Sequence, residues 1–118
     1  AFQAIGGHPN LVTGSEIDIW PWEDSGFYTA RHPRTALGLT GDHHLLLVTV
    51  DGRTGAGKGM TENELAQHLI FLGAVEAINL DGGGSTALWI KDKIVNVPIE
   101  SGVPGRERHV ANHVCIFC

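Results

Sequence analysis

Apolar and polar residues alternate in several short stretches of this chain, which is the pattern of half-buried strands. Leu37 to Thr40 and Leu45 to Asp51 are two such stretches, and the polar segment between them begins with glycine. This arrangement predicts a β-hairpin. Further strands are predicted at Ala77 to Leu80, at Ala87 to Ile90 with Ile94 to Val97 as a second hairpin, and at Val110 to Phe117.

One segment instead has helical spacing. Thr61 and Glu64 have the spacing of a capping box, in which each side chain accepts from the backbone N–H of the other residue. Gly73 is placed to end the helix. We therefore predict an α+β fold, a mainly antiparallel sheet with one well-capped helix packed on it and glycine-rich turns. The apolar positions that follow the capping box, and that we expect to be buried, are Leu65, Leu69 and Leu72.

Length and composition place the chain among small globular proteins. Its 118 residues are 42% hydrophobic and 18% charged, which suits a single domain over 1–118 and excludes a disordered chain. A formal net charge of -5 leaves no basic surface for nucleic acid. Apolar runs such as Leu45 to Val48 are far too short to span a bilayer. Because the chain does not begin with Met, we expect a processed or excised piece.

The stretch Asn79 to Thr86 contains a carboxylate, consecutive glycines and two hydroxyls, which no core requires. Consecutive glycines cost backbone entropy, so a folded chain keeps them where φ is positive or where a ligand touches the backbone. Their N–H groups are predicted to converge on an anion, and the polar side chains to supply neutral hydrogen bonds. The alternative is a tight turn closed by the aspartate. The candidate binding residues here are Asn79, Gly82, Gly83, Gly84, Ser85 and Thr86.

Several segments, in their order and spacing, resemble the phosphodiester glycosidase family. They are Pro33 to Gly38, Val50 to Arg53, Gly59 to Thr61 with Glu64 to Ala66, and Ala77 to Thr86. Weaker matches are Gly6-Gly7, Leu11-Val12, Asn96 to Pro98 and Arg108. The resemblance implies hydrolysis of a sugar-1-phosphodiester, which releases the sugar and leaves a phosphomonoester on the acceptor. It also implies an extracellular or cell-envelope location and a sugar phosphate or glycan as the partner.

Such a reaction needs groups that bind a singly charged anion, and a fork-shaped guanidinium suits phosphate oxygens well. Arg34 precedes a predicted strand and Arg53 follows one, so both lie where loops gather. The resemblance adds Thr35 to the substrate-binding candidates. The N-terminus of the helix offers further N–H groups. For each arginine the alternative role is a surface ion pair.

Asp81 and Asp51 are the candidate catalytic carboxylates. Each ends an apolar strand and is followed by glycine, which leaves room for a ligand. Glycosidic cleavage commonly uses two carboxylates, one to protonate the leaving group and one to attack C1 or activate water. Asp51 has an alternative role in closing an Asp-Gly turn. Glu64 is explained by the capping box.

Family domains usually carry an additional N-terminal stretch with an Asn-Gly-Gly-Phe-Phe-like segment, which this chain lacks. We therefore expect either a second chain that supplies that stretch or a homo-oligomer. The alternative function is a non-catalytic glycan-binding or self-assembling module derived from the family. In either case, a piece of a larger fold exposes strand edges that favour association.

The histidines and cysteines do not favour a metal site, and we predict no metal and no cofactor. Residues 43–44 are adjacent and point to opposite faces of a strand, and His109 and His113 would lie roughly 13 Å apart on one. That separation is too large for one zinc ion. Cys115 and Cys118 form a lone C-x-x-C, which fits a redox pair, half a zinc site or two partnerless residues. On a strand they face opposite sides, which disfavours a local bridge.

Two other loop features have chemical potential. Trp20 to Asp24 places two tryptophans beside two acids, which suits either a rim that stacks on sugars or packing beneath a loop. His8 and His32 lie beside proline and have the chemistry of a general acid near neutral pH, but nothing local selects either.

Overall fold

The computed structural model describes residues 4–20, 26–55 and 57–117. Apart from Trp20, the aromatic loop 20–24 lies outside these residues. The elements, in chain order, are β1 (Asn10–Thr13), β2 (Glu16–Ile17), α1 (Gly26–Thr29), β3 (Arg34–Thr40), β4 (Leu45–Val50), α2 (Glu62–Phe71), β5 (Ala74–Asn79), a 3-10 turn (Gly83–Ser85), β6 (Trp89–Ile90), β7 (Lys93–Ile94), β8 (Ile99–Glu100) and β9 (Val103–Pro104).

A 5-stranded antiparallel sheet organises the fold, with the strand order β2-β1-β5-β3-β4. The predicted hairpin is confirmed, since β3 pairs with β4 and Leu39 lies opposite Leu45. β5 lies in the middle of the sheet, between β1 and β3. Its carboxyl end therefore delivers Asn79 and the following glycine loop beside the start of β3.

Helix α2 packs on β1 and β5, and its predicted capping box is present. Thr61 Oγ1 accepts from Glu64 N–H at 3.2 Å, and Glu64 Oε2 accepts from Thr61 N–H at 3.0 Å. Gly73 follows the helix with φ +95°, a left-handed conformation that glycine adopts at little cost. Leu65 and Leu69 are fully buried as predicted. The prediction for Leu72 is wrong, because it is the C-cap residue, is 41% exposed, and has turned away from the core.

The core lies between α2 and one face of the sheet, and it makes the fold α+β with the sheet dominant. None of the described helices has the length and apolar character needed to span a membrane. The buried residues of this core are Leu11, Val12, Ala36, Leu65, Ala66, Leu69, Ala74 and Ala77.

The last third of the chain differs most from the prediction. The second hairpin exists but is short, with Trp89 opposite Ile94 and Ile90 opposite Lys93. The predicted strand Val110 to Phe117 is wrong, because that segment is exposed and has no strand structure. An apolar alternation describes the faces of a strand, but a strand also needs a hydrogen-bonding neighbour. No described part of the chain provides one here.

Candidate functional site

The glycine loop lies against the residues that open β3. Leu80 N–H donates to Thr35 O, and Gly83 N–H donates to Pro33 O, both at 2.8 Å. A Cβ on Gly82 would lie 2.8 Å from Pro33 O, which is closer than atoms of this kind approach each other. The loop can therefore meet the β3 backbone only with glycine at this position.

Most of the loop N–H groups are already used within the protein. Gly83 N–H bonds to Pro33 O, and the N–H groups of Ser85 and Thr86 bond to the carbonyls of Gly82 and Gly83. These three groups do not converge on an anion as predicted, because they close the turn. Positive charge near the loop comes instead from side chains.

Arg53 brings a guanidinium to one side of the loop. A Cβ on Gly83 would lie 3.4 Å from both Nη atoms of Arg53, so the guanidinium covers the α-carbon of that glycine. Arg53 Nη2 lies 2.9 Å from His32 Nδ1. Gly83 has φ +58°, as does Arg53, although Arg53 is not a glycine. A non-glycine residue in this conformation stores a small amount of strain, which concentrates at functional positions.

Arg108 brings a second guanidinium to the neighbouring glycine. A Cβ on Gly84 would lie 2.7 Å from Arg108 Nη2 and 2.6 Å from Glu100 Oε2. Arg108 Nε donates to Glu100 Oε2 at 2.7 Å, and Ser101 Oγ donates to Glu100 Oε1. The hydrogen bond from Arg108 lowers the pKa of Glu100, with smaller lowering from Ser101 and Arg106. Glu100 is therefore an anion that restrains Arg108.

Asp81 is exposed and directly precedes the three glycines. Among the described residues it has no hydrogen-bond or ion-pair partner, so its carboxylate faces solvent. Of the predicted site residues, Asp81 and Arg53 are the two with charged groups at the surface of the loop. Arg53 lies on Gly83, and Asp81 directly precedes Gly82 in the chain.

Arg34 lies inside the protein rather than in the loop surface, with a side chain only 1% exposed. Its Nη1 donates to Glu62 Oε1 at 3.0 Å, its Nε to Met60 O at 3.0 Å and its Nη2 to Ala30 O at 3.0 Å. Burial lowers the pKa of Arg34 and the Glu62 carboxylate raises it. This geometry does not favour the predicted contact of Arg34 with a substrate, because protein acceptors occupy its nitrogens.

Asn79 belongs to the same buried cluster. Its Nδ2 donates to His8 O at 2.9 Å and to Glu62 Oε1 at 3.4 Å, and the residue is 5% exposed. One carboxylate oxygen of Glu62 therefore joins the start of β3, the start of α2 and the end of β5. The cluster fixes the end of β5, where the glycine loop begins. A role of Asn79 in binding substrate stays a prediction.

Asp51 connects the end of β4 to a distant segment. Its Oδ1 accepts from Val97 N–H at 2.9 Å and from Asn96 Nδ2 at 3.2 Å. Asn96 Nδ2 also donates to Thr86 O, and Leu88 N–H donates to Asn96 Oδ1. Asp51 therefore binds the segment that follows the glycine loop. This role differs from the closure of an Asp-Gly turn, which was the alternative to a catalytic role. Its catalytic role stays a prediction.

The two predicted threonines contact each other where the glycine loop ends. Thr35 Oγ1 donates to Thr86 Oγ1 at 3.3 Å. Thr86 is 1% exposed, whereas Thr35 is half-buried. Their contact fixes the exit of the loop on β3, and of the two, only Thr35 retains some access to solvent.

Sequence reasoning did not select His32, Glu62 or Glu100. Glu62 follows the N-cap and reads locally as an ordinary acid in the first helical turn. His32 and Glu100 acquire their roles from the arginines they contact, which lie elsewhere in the chain. The one usable signal was the weak match at Arg108, a residue that now proves to lie on Gly84.

The model of the phosphodiester glycosidase family matches residues 2–117. The chain belongs to this family. A bovine N-acetylglucosamine-1-phosphodiester α-N-acetylglucosaminidase is 34% identical over 86 residues, which is 70% of this chain and 16% of the bovine protein. An uncharacterised prophage-derived protein of Bacillus subtilis is 35% identical over 88 residues, 66% of this chain and 14% of that protein.

Solved structures agree with the family assignment. One solved structure is the catalytic domain of the zebrafish N-acetylglucosamine-1-phosphodiester α-N-acetylglucosaminidase, auto-inhibited by pro-peptide. It matches this chain with a TM-score of 0.68 and 28% identity, and the match covers 80% of this chain and 34% of the zebrafish chain. A hypothetical protein from Synechocystis has a TM-score of 0.69 and 30% identity over 78% of this chain and 18% of its own. The chain spans only 14% to 18% of the length of the curated relatives.

Proposed function

We propose that this phosphodiester glycosidase domain hydrolyses a sugar-1-phosphodiester to the free sugar and a phosphomonoester. The observation that carries the proposal is the pair of guanidinium groups on adjacent glycines, Arg53 on Gly83 and Arg108 on Gly84, in the loop that begins with the exposed Asp81. A phosphodiester carries one negative charge, and guanidinium forks match its oxygens. Glycines at these two positions let the arginines approach the loop backbone without an intervening side chain.

The proposed chemistry follows from the change in charge. Water adds to C1 of the sugar as the bond from C1 to the phosphate oxygen breaks, so the departing phosphate gains negative charge. Arg53 and Arg108 stabilise that added charge, which is greater in the transition state than in the bound substrate. In this proposal Asp81 accepts the proton from the attacking water. A phosphate leaving group is stable as an anion and needs little help from a general acid.

The test uses a panel of sugar-1-phosphodiesters with a fluorogenic aryl group on phosphate, coupled to a phosphatase that frees the aryl group. We expect Asp81→Asn to lower kcat/KM by about 100-fold or more, as loss of a general base does. Asp92→Asn is the matched control, because Asp92 is exposed in the β6–β7 turn with φ +60°, where asparagine is also tolerated. When hydrolysis is carried out in oxygen-labelled water, the label should appear in the released sugar. Label in the phosphate, or equal rates for Asp81→Asn and the parent, would contradict the proposal.

We further propose an extracellular or cell-envelope location. The supporting observation is a solved relative, a putative exported protein of Burkholderia pseudomallei, with 42% identity and a TM-score of 0.62 over 64% of this chain and 15% of its own. Fractionation of cells that produce the full-length protein tests this. Recovery in the cytoplasm alone would contradict it.

The second candidate function is a self-assembling module whose partner is another copy of this chain. One face of the β3–β4 hairpin favours it, because Leu37 lies opposite Leu47 and Leu39 opposite Leu45 on that face. Leu45 is 53% exposed, and β4 is an edge strand with unpaired backbone groups. Light scattering should show a dimer that Leu45→Lys separates. A monomer for the parent chain would exclude assembly and leave the second-chain hypothesis, which co-purification tests.

A further inference from the structure

His32 and Arg53 form a contact that the family assignment does not explain. The backbone of His32 is held by two hydrogen bonds to Met60, N–H to O at 3.2 Å and O from N–H at 3.1 Å. A Cβ on Gly59 would lie 2.3 Å from His32 O, and one on Gly52 would lie 2.8 Å from Pro33 N. The loop that carries Arg53 therefore packs tightly, through glycines, on the segment that carries His32. The two side chains meet across a rigid backbone.

The chemistry of the contact determines the state of the imidazole. A guanidinium has donors only and stays protonated in proteins, so Arg53 Nη2 must donate and His32 Nδ1 must accept. His32 is therefore neutral in this contact, with its proton on Nε2. Burial lowers the pKa of His32, and the charges of Arg53 and Arg34 lower it further, which favours the same neutral form.

A neutral acceptor differs from the carboxylates that usually hold arginines. Arg34 forms an ion pair with Glu62 through Nη1, and Arg108 forms one with Glu100 through Nε. His32 restrains Arg53 without contributing negative charge. The guanidinium over Gly83 consequently keeps its full charge for an anion, and one of its nitrogens has a defined direction.

We propose that His32 is a positioning residue that orients Arg53 over Gly83 and leaves its charge uncompensated for an anionic phosphodiester. The proposal rests on the proposed function for the identity of the anion. The orientation of Arg53 and the tautomer of His32 do not depend on that function. The left-handed backbone of Arg53, φ +58°, is the local strain that this orientation retains.

The experiment compares substitutions at His32 that separate geometry from charge. His32→Ala removes the acceptor, and His32→Asn places an amide oxygen near the position of Nδ1. His32→Asp retains an acceptor but adds negative charge. His68→Ala is the control, since His68 is an exposed residue of α2 that stacks on Phe71 away from the loop. The probe is diethyl phosphate, a simple phosphodiester, and its Kd is measured by titration calorimetry.

We expect each of two variants to weaken the Kd for diethyl phosphate by about tenfold, the size of one charge-assisted contact. His32→Ala does so because Arg53 loses its orientation, and His32→Asp because the new carboxylate compensates the Arg53 charge. His32→Asn should restore binding to within a small factor of the parent, and His68→Ala should not change it. Nitrogen NMR of the parent should show a neutral imidazole protonated on Nε2. Equal affinities for the parent and His32→Ala, or for the parent and His32→Asp, would overturn the proposal. So would a proton on Nδ1.

These readouts are separate from hydrolysis. If the parent binds diethyl phosphate and the His32 series behaves as expected, but no sugar-1-phosphodiester is cleaved, the proposed reaction fails while the role of His32 stands. If cleavage occurs and all His32 variants bind diethyl phosphate with the Kd of the parent, the reaction stands and the positioning role fails. Thermal unfolding of each variant identifies any loss of binding caused by unfolding. The His32→Asn variant then decides the matter, because it retains a neutral acceptor.

Discussion

The guanidinium of Arg108 lies against the α-carbon of Gly84, where a methyl group would approach its Nη2 within 2.7 Å. The same methyl group would come within 2.6 Å of Glu100 Oε2. Both atoms are at the ends of flexible side chains at the protein surface, so they are able to move aside. The identity of residue 84 therefore controls where this ion pair lies and has less influence on the fold.

Gly84→Ala should consequently displace Arg108 from the loop. We expect the affinity for a phosphodiester to fall by about tenfold, because one charge-assisted contact is lost, while the midpoint of thermal unfolding changes little. Calorimetric titration and a thermal melt on the same sample check both parts. Gly6→Ala is the control, since a Cβ there meets nothing within 4 Å. Unchanged binding by Gly84→Ala would remove Arg108 from the site.

Gly59→Ala should instead lower the stability of the fold. A Cβ at this position would meet the backbone of His32, with O at 2.3 Å and N at 2.9 Å, and φ is +88°. Backbone atoms cannot move aside as side-chain ends do, so the free energy of unfolding should fall by several times the effect of Gly84→Ala. Urea unfolding measures it. Similar stability for the two alanine variants would show that the loop is looser than this packing indicates.

Breaking the buried pair of Arg34 and Glu62 should be costly. Glu62→Ala leaves the guanidinium buried without its carboxylate, and we expect a loss of about 3 kcal/mol in the free energy of unfolding. Replacing both members, Arg34→Met with Glu62→Leu, should cost less, because no uncompensated charge remains. Urea unfolding of the single and double variants checks the order. A double variant less stable than Glu62→Ala would contradict this account.

Removing the helix cap should cost less than breaking the buried pair. Thr61→Ala removes the oxygen that accepts from Glu64 N–H, and we expect about 1 kcal/mol of destabilisation. Thr61→Ser keeps that oxygen and serves as the matched control. Equal stability of the alanine and serine variants, measured by urea unfolding, would mean that the capping box contributes nothing.

The stability of the fold should depend on pH through His32. Its pKa is lowered from the ordinary 6.5, first by burial and then by Arg53 and Arg34. The unfolded chain therefore binds a proton at higher pH than the folded one. This contribution to stability is present above about pH 6.5, is lost as pH falls toward the lowered pKa, and does not change below it. His32→Asn should remove this part of the slope, as urea unfolding between neutral pH and about pH 5 will show. The same change of unfolding free energy with pH in the parent and in His32→Asn would contradict this prediction.

The parts of the molecule that sequence reasoning predicted well are those with local causes. The capping box of α2 needs only Thr61 and Glu64, which lie one helical turn apart, and Gly73 ends the helix through its own φ. The hairpin of β3 and β4 follows from two apolar alternations joined by a short turn. The segment Val110 to Phe117 has the same alternation but no described neighbour to pair with, so the pattern did not determine its structure.

By itself, the sequence determined the class of fold, the helix with its ends, the hairpin, and the presence of a glycine loop beside a carboxylate. These features depend on periodicity, on capping and on the backbone freedom of glycine, all of which act over a few residues. Only the tertiary structure decided which arginine is buried with Glu62 and which ones lie on Gly83 and Gly84. Those relationships depend on which loops the sheet order brings together, since β5 lies between β1 and β3 and delivers the glycine loop to Pro33 and Thr35.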